Sequence, residues 1–472
     1  MSGLFASLNA SVSALTAHSR SVEIAGKNLA NVNNANYARQ RVIYGDRGTV
    51  VTPDGAESLG LEALGVEQLR DALLDRQVVR EAARTSYYQA QQNGYSRAQA
   101  ALGQDVSSAG SNSTTSNDTG IAAALDGMFS SFQGFAANPT DTGQRQSLLQ
   151  SVGILTDRLR LADSRLNQVQ SDLDAQVGTD VADANRLMQT VADLNDQISR
   201  FEINRPGSAV DLRDQRQAAL EKLAAKLPIA TSELPNGKVT ISSVDSGGAP
   251  VVLVSATGFV GPLSFDATTN PPTVKGGSGS TVLALDSGAI QGSIDARTDA
   301  IQTIRDQLDA LAGQLTTSIN AIYNPGGSGS DFLTGTTAAT ITLASGLTPL
   351  NLKASISGAA GDNTAALAIA QLASKKFSTA GSPADLIEGT FSTFFSGAVS
   401  GLGQAVAGAN SRVNDQGRIE QLVRSQRDTV SGVSLDEEMA NLMKFQRAFQ
   451  ASSRVFQTID ALLEVVVTQM GR

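Results

Sequence analysis

Few side chains in this sequence are grouped for chemistry. His18 is the one histidine among 472 residues, and there is no cysteine. That removes thiol nucleophiles, disulfides and zinc sites of the usual Cys/His type. A Ser-His-Asp triad would have to use His18, which falls on the apolar seam of a terminal helix, where a packed residue is expected. Asp436, Glu437 and Glu438 form a carboxylate run. They open a helix, where the dipole stabilises negative charge by about 0.3–1 kcal/mol per group, so a structural role is expected. Tyr87, Tyr88 and Tyr95 share a helix and read as packing. Gly26-Lys27 is followed by Asn28 and has no glycine five positions before it, and Gly237-Lys238 fails as a phosphate loop likewise. The segment GGSGS, at 276–280 and 326–330, ends in Ser and makes no nucleophile elbow. No catalytic, cofactor or metal residue is expected, and the chain is read as a non-enzyme.

Composition narrows the class further. At 472 residues about three domains are expected. An apolar fraction of 41% can build real cores, with aromatics at 4% and no tryptophan. A net charge of −9 and a pI near 4.9 argue against nucleic acid, which needs a basic stripe, and against an anionic membrane surface. No run of about 18 apolar residues is present to span a bilayer. The N-terminal stretch lacks a basic region and a continuous apolar core, so it does not read as a cleaved secretory signal. Export, if it occurs, is expected by a route that cleaves nothing.

The strongest pattern sits at the two ends. Leu8, Leu15, Val22 and Leu29 recur at sevens, interleaved with Leu4, Ser11, His18, Ala25 and Val32. This is the 3-4 spacing of a coiled-coil stripe. Leu435, Leu442, Phe449, Phe456, Leu463 and Met470 repeat it, with Phe445, Ile459 and Val466 as partners. Ser434 with Glu437 reads as a capping box after Gly432. Residues 1–33 carry only Arg20, Glu23 and Lys27 as charges. Such small neutral outer faces suit close packing by neighbours. The ends are expected to pair with each other, leave outer faces for further copies, and stay disordered until assembly.

Between the ends, residues 38–60 read as a short hairpin and 66–102 as a long helix. A Ser/Thr/Asn run at 107–119 reads as a loop. Helices are expected at about 119–136, 141–177, 180–203 and 209–226. From 228 to 286, Pro and Asn-Gly break short β-branched runs, and a small β insert is expected. Helix resumes at 288–323. A weak β stretch at 339–356 and helices at 363–376, 383–430 and 434–470 complete the chain.

The segment from Asn28 through Asn31 and Tyr37 to Arg39, Gln40 and Arg41 resembles the N-terminal signature of bacterial flagellar rod, hook and hook-associated axial proteins. The segment with Glu437, Glu438, Gln446, Arg447 and Gln450 is similar to their terminal helix. Ala35-Asn36 stands where the family often has Pro-Gly before the tyrosine. The resemblance covers about 80 residues and favours a hook-associated member over hook protein or flagellin. It implies a structural subunit between hook and filament, built into a ring or short helical layer beside hook protein and a second junction protein. It also implies unfolded export by the flagellar type III apparatus and a chaperone on the C-terminal helix. A secreted adhesin using the β insert is the alternative from another class.

The expected fold is mainly α with an inserted β unit, in nested discontinuous domains. Residues 1–33 plus 434–472 form a terminal coiled-coil assembly domain. Residues 34–227 plus 287–433 form a helical body, and 228–286 the β-rich insert.

Overall fold

The computed structural model describes residues 2–52, 55–58, 60–103, 120–357, 359, 361–381 and 383–470. The Ser/Thr/Asn run at 107–119 lies outside them. α1 (Ser2–Ala30) and α10 (Leu435–Met470) pack along each other. Asn28, near the end of α1, meets Glu438, at the start of α10, so the two helices run antiparallel. α1 stops in an Asn-rich turn, where Asn31 Nδ2 donates to Lys27 O at 2.9 Å and satisfies one carbonyl of the last turn.

The expected hairpin at 38–60 is two hairpins in line. β1 (Gln40–Asp46) pairs with β4 (Leu61–Gln68), and β2 (Thr49–Thr52) pairs with β3 (Gly55–Ser58), all antiparallel. Residues 66–68, expected to be helical, belong to β4. α2 (Ala72–Leu102) starts after Asp71, whose side chain accepts from the Leu73 and Leu74 N–H groups. That N-cap fixes the helix start.

α3 (Ile121–Ala137) leads into α4 (Thr142–Phe201), a single helix of 60 residues, about 90 Å long. Two helices were expected, at 141–177 and 180–203, and Gly178 lies between them. A helical glycine costs only about 1 kcal/mol. Leu173, Val177, Val181, Ala184 and Met188 are buried on both sides of it, so packing carries the helix through.

α5 (Val210–Lys226) precedes two antiparallel sheets. β5 (Ala230–Glu233), β6 (Val239–Val244), β7 (Pro250–Ser255) and β8 (Gly258–Phe259) lie in chain order. β9 (Ser264–Asp266), β10 (Thr273–Gly276) and β11 (Thr281–Val282) form the second sheet. Asn236-Gly237 makes the turn into β6, with Gly237 at φ 76°, a conformation glycine adopts without strain.

The expected helix at 288–323 contains α6 (Gly288–Ala296), a π turn at Arg297–Ile301 and α7 (Gln302–Tyr323). α6 lies tight on α2: a Cβ on Gly292 would sit 2.2 Å from Tyr87 O, and one on Gly94 would sit 2.6 Å from Ala296 Cβ. The weak β stretch reduces to β12 (Leu333–Thr334) against β13 (Thr342–Leu343). α8 (Thr364–Gln371) ends earlier than expected. α9 (Phe391–Ser431) begins not at 383 but after Thr390, which forms a capping box with Thr393.

Two main cores result. One gathers Phe129, Phe132, Phe135, Leu155, Leu308 and Phe391 from α3, the first half of α4, α7 and α9, with Phe332 and Phe377 from the connecting segments. The other joins Val181, Met188, Leu220, Leu223, Ile241, Leu253, Val274 and Ile290, so the strands of 228–286 close onto α4, α5 and α6. α4 runs through both. No helix of the described residues is long and apolar enough to cross a membrane.

Candidate assembly interface

The expected seam residues occupy graded positions. Leu8, Leu15, Val22 and Leu29 are half-buried, and Leu4's side chain lies outside the described residues. The fully buried positions of α1 are Ala17, Ser21, Ile24, Ala25 and Asn28. α1 touches both α10 and the β1–β4 ribbon, and small or polar residues fill the line where these neighbours converge. On α10, Leu442, Phe445, Phe456, Ile459, Leu463 and Val466 are half-buried. Leu435 and Phe449 are 53% and 39% exposed, more open than the other expected seam residues of α10. His18 is half-buried, and burial lowers its pKa below the ordinary 6.5.

Motif residues from opposite ends of the chain meet in a buried polar clasp. Asn28 is 1% exposed and is fully used. Its Nδ2 donates to Gln40 O at 2.9 Å and to Glu438 Oε2 at 3.0 Å. Its Oδ1 accepts from Gln40 N at 3.0 Å and Tyr37 OH at 2.8 Å. Arg39 Nε donates to Glu438 Oε1 at 2.7 Å, its Nη1 to Glu437 Oε2 at 2.7 Å, and its backbone N to Ser431 O at 2.8 Å. Glu438 is 2% exposed, so its charge needs these partners. Glu437, expected in a capping box with Ser434, is engaged by Arg39. Asn31 takes no part beyond its own turn. Gln446, Arg447 and Gln450 are exposed.

A charged collar ties the clasp to the body. Lys27 Nζ donates to Asp211 of α5 at 2.6 Å, and Gln40 Nε2 to the same carboxylate at 3.0 Å. Arg70 bridges Asp75 at 3.0 Å and Asp214 at 2.6 Å, and Ala38 N donates to Asp214 at 3.4 Å. Arg427 of α9 donates to Glu221 at 2.7 Å and to Ala35 O at 3.1 Å. Burial raises the pKa of Asp75 and of Asp214 above 3.8, against the pull of Arg70. Sequence reasoning missed Asp211, Asp214, Glu221, Arg427 and Ser431. The opposite charges of Arg39 and Glu437-Glu438, in two motifs at the two ends, were the available signal.

This arrangement positions backbone and helices. Among the described residues, no group of three or more His, Asp or Glu side chains could hold a metal ion. The geometry defines a protein whose two ends close into one helical unit, braced on a helical body and presenting unfilled apolar residues outward.

Comparison with known proteins gives the family. Residues 111–373 match the family model of the flagellar hook-associated protein FlgK helical domain, and residues 424–470 match that of the flagellar basal body rod FlgEFG protein C-terminal region. The chain is 24% identical over 522 residues to flagellar hook-associated protein 1 of Bacillus subtilis, covering 100% of this chain and 99% of that one. It is 22% identical over 560 residues to flagellar hook-associated protein 1 of Escherichia coli, covering 98% and 99%. A solved structure, the flagellar hook junction protein FlgK from Burkholderia pseudomallei, aligns with 52% of this chain and 43% of that one, at TM-score 0.44 and 24% identity. The chain belongs to the FlgK family of flagellar hook-associated proteins, a family of structural flagellar components.

Proposed function

We propose that this chain is a junction subunit between hook and filament, polymerising through its paired terminal helices. The clasp carries the reading: Asn28 and Glu438 are 410 residues apart, and burying them together makes one assembly end out of both termini. The outer faces of α1 and α10 then pack with further copies as a ring or short helical layer. Hook protein lies on one side and a second junction protein on the other. Residues 1–33 plus 434–472 act as the assembly domain, 34–227 plus 287–433 as the body, and 228–286 as the insert. The subunit works outside the cell, after unfolded export through the flagellar type III apparatus with a cytoplasmic chaperone on α10.

Deleting 434–472 tests this. The truncated chain should keep a folded body but be missing from isolated flagella, and its cells should carry bare hooks. Filaments attached at normal frequency in those cells would refute the assignment.

A further inference from the structure

Two apolar patches on this molecule are left unused by its own fold. The first is a cleft of about 620 Å³ lined by Thr16, Arg20, Ala63, Val66, Phe201 and Arg205, among others. Its lip is the turn that ends α4, where Phe201 is 65% and Ile203 74% exposed. Arg205 is exposed, and among the described residues its guanidinium has no hydrogen bond or ion pair; Arg20 pairs with Glu23 at 2.7 Å on the surface. The second patch is the start of α10, where Leu435, Met439 and Met443 are 53%, 43% and 53% exposed. Asp436 stands among them, exposed, with no hydrogen bond or ion pair among the described residues. Exposed apolar groups in contiguous patches mark interaction surfaces, and methionines adapt readily to an opposing surface.

No residue of α10 lines the cleft, so one copy does not fill its own cleft with this patch. We infer that the Leu435–Met443 patch of one copy seats in the Phe201–Arg205 cleft of the next, with Asp436 meeting Arg205. The inference rests on the proposed junction reading and adds to it a specific lateral contact, between the start of α10 in one copy and the end of α4 in the next. Apolar matches apolar across it, and one free acid meets one free base, which sets the register. Patch and cleft differ, so the contact is heterologous: it propagates from copy to copy and closes into a ring or winds into a helical layer. The burial that α10 lacks in the monomer is then supplied at its first two turns, beside the clasp.

The absence of native cysteine makes the test clean. Asn204→Cys and Met439→Cys are combined in one chain, flagella carrying it are isolated, and the thiols are oxidised with copper–phenanthroline. A ladder of linked copies is expected from the double variant and none from either single variant. The double variant found in flagella by immunogold, yet giving no ladder, would overturn the inference, and so would a product that stops at dimers. Separately, Arg205→Glu should lower the fraction of hooks bearing filaments about two- to fivefold, the effect of an exposed ion pair. Adding Asp436→Lys to that chain should restore it. No loss from the first change, or no rescue by the second, would also overturn it. Absence of the wild-type chain from isolated flagella would instead bring down the junction reading itself.

Discussion

At the scale of single residues, the clasp makes unequal demands on its members. Arg39→Ala leaves Glu438, whose side chain is 3% exposed, as a buried charge with only Asn28 beside it. Such a loss destabilises by about 3–5 kcal/mol. Glu438→Gln removes charge and keeps a polar group, so it should destabilise less. Denaturant unfolding of the two variants checks the order, and equal midpoints would contradict it. Asp214 gives a pH test. Burial first, opposed by Arg70, raises its folded pKa above 3.8. A raised carboxylate contributes stability that is full below the unfolded pKa and is lost as pH climbs through the folded one. The stability of wild type relative to Asp214→Asn should therefore be greater near pH 3.5 than near pH 6. The reverse slope would show that the ion pair outweighs burial. Arg39, Glu437 and Glu438 stood out in the sequence as motif residues. That Glu438 is buried did not, because a carboxylate in a helix's first turn is normally solvated and its partner lies 399 positions away.

At the scale of elements, periodicity located nearly every helix and missed the junctions between them. The terminal stripes were visible as heptads. Their exact facing was not, because α1 has two neighbours and its buried line runs through Ala17 and Ser21, which carry no hydrophobic signal. The continuity of α4 was hidden by Gly178, and the start of α2 lay in the Asp71 cap instead of in any apolar repeat. Phe449 illustrates the consequence. It is 39% exposed, so Phe449→Asp should lower the melting of the monomer less than the same change at a more covered position. The same change at half-buried Phe456 should remove much of a ring's burial, up to about 1.5–3 kcal/mol. Thermal unfolding of both variants decides, and a larger loss at Phe449 would contradict the seam. Gly432 joins α9 to α10, and a Cβ there would meet Asp428 O at 2.3 Å. Gly432→Ala should therefore shift the angle between the two helices. The clasp contact of Arg39 N to Ser431 O would then weaken, which hydrogen exchange at Arg39 would report. Unchanged protection there would count against a tight joint.

At the scale of the molecule, ion pairs join the terminal helix pair to the helical body. Lys27–Asp211 ties α1 to α5, and Arg39–Glu438 ties α10 to the segment ahead of β1, while Arg427–Glu221 holds α9 on α5 beside them. The nested order of the chain was legible because both ends carried the same pattern. The way the strands of 228–286 share a core with α4, α5 and α6 was not, since short β runs do not announce which helices cover them. The central claim is that this chain joins hook to filament, and electron microscopy of cells lacking it tests that most directly. The account predicts complete hooks with no filaments attached, restored by the wild-type chain. Filaments of normal length on those hooks would contradict it.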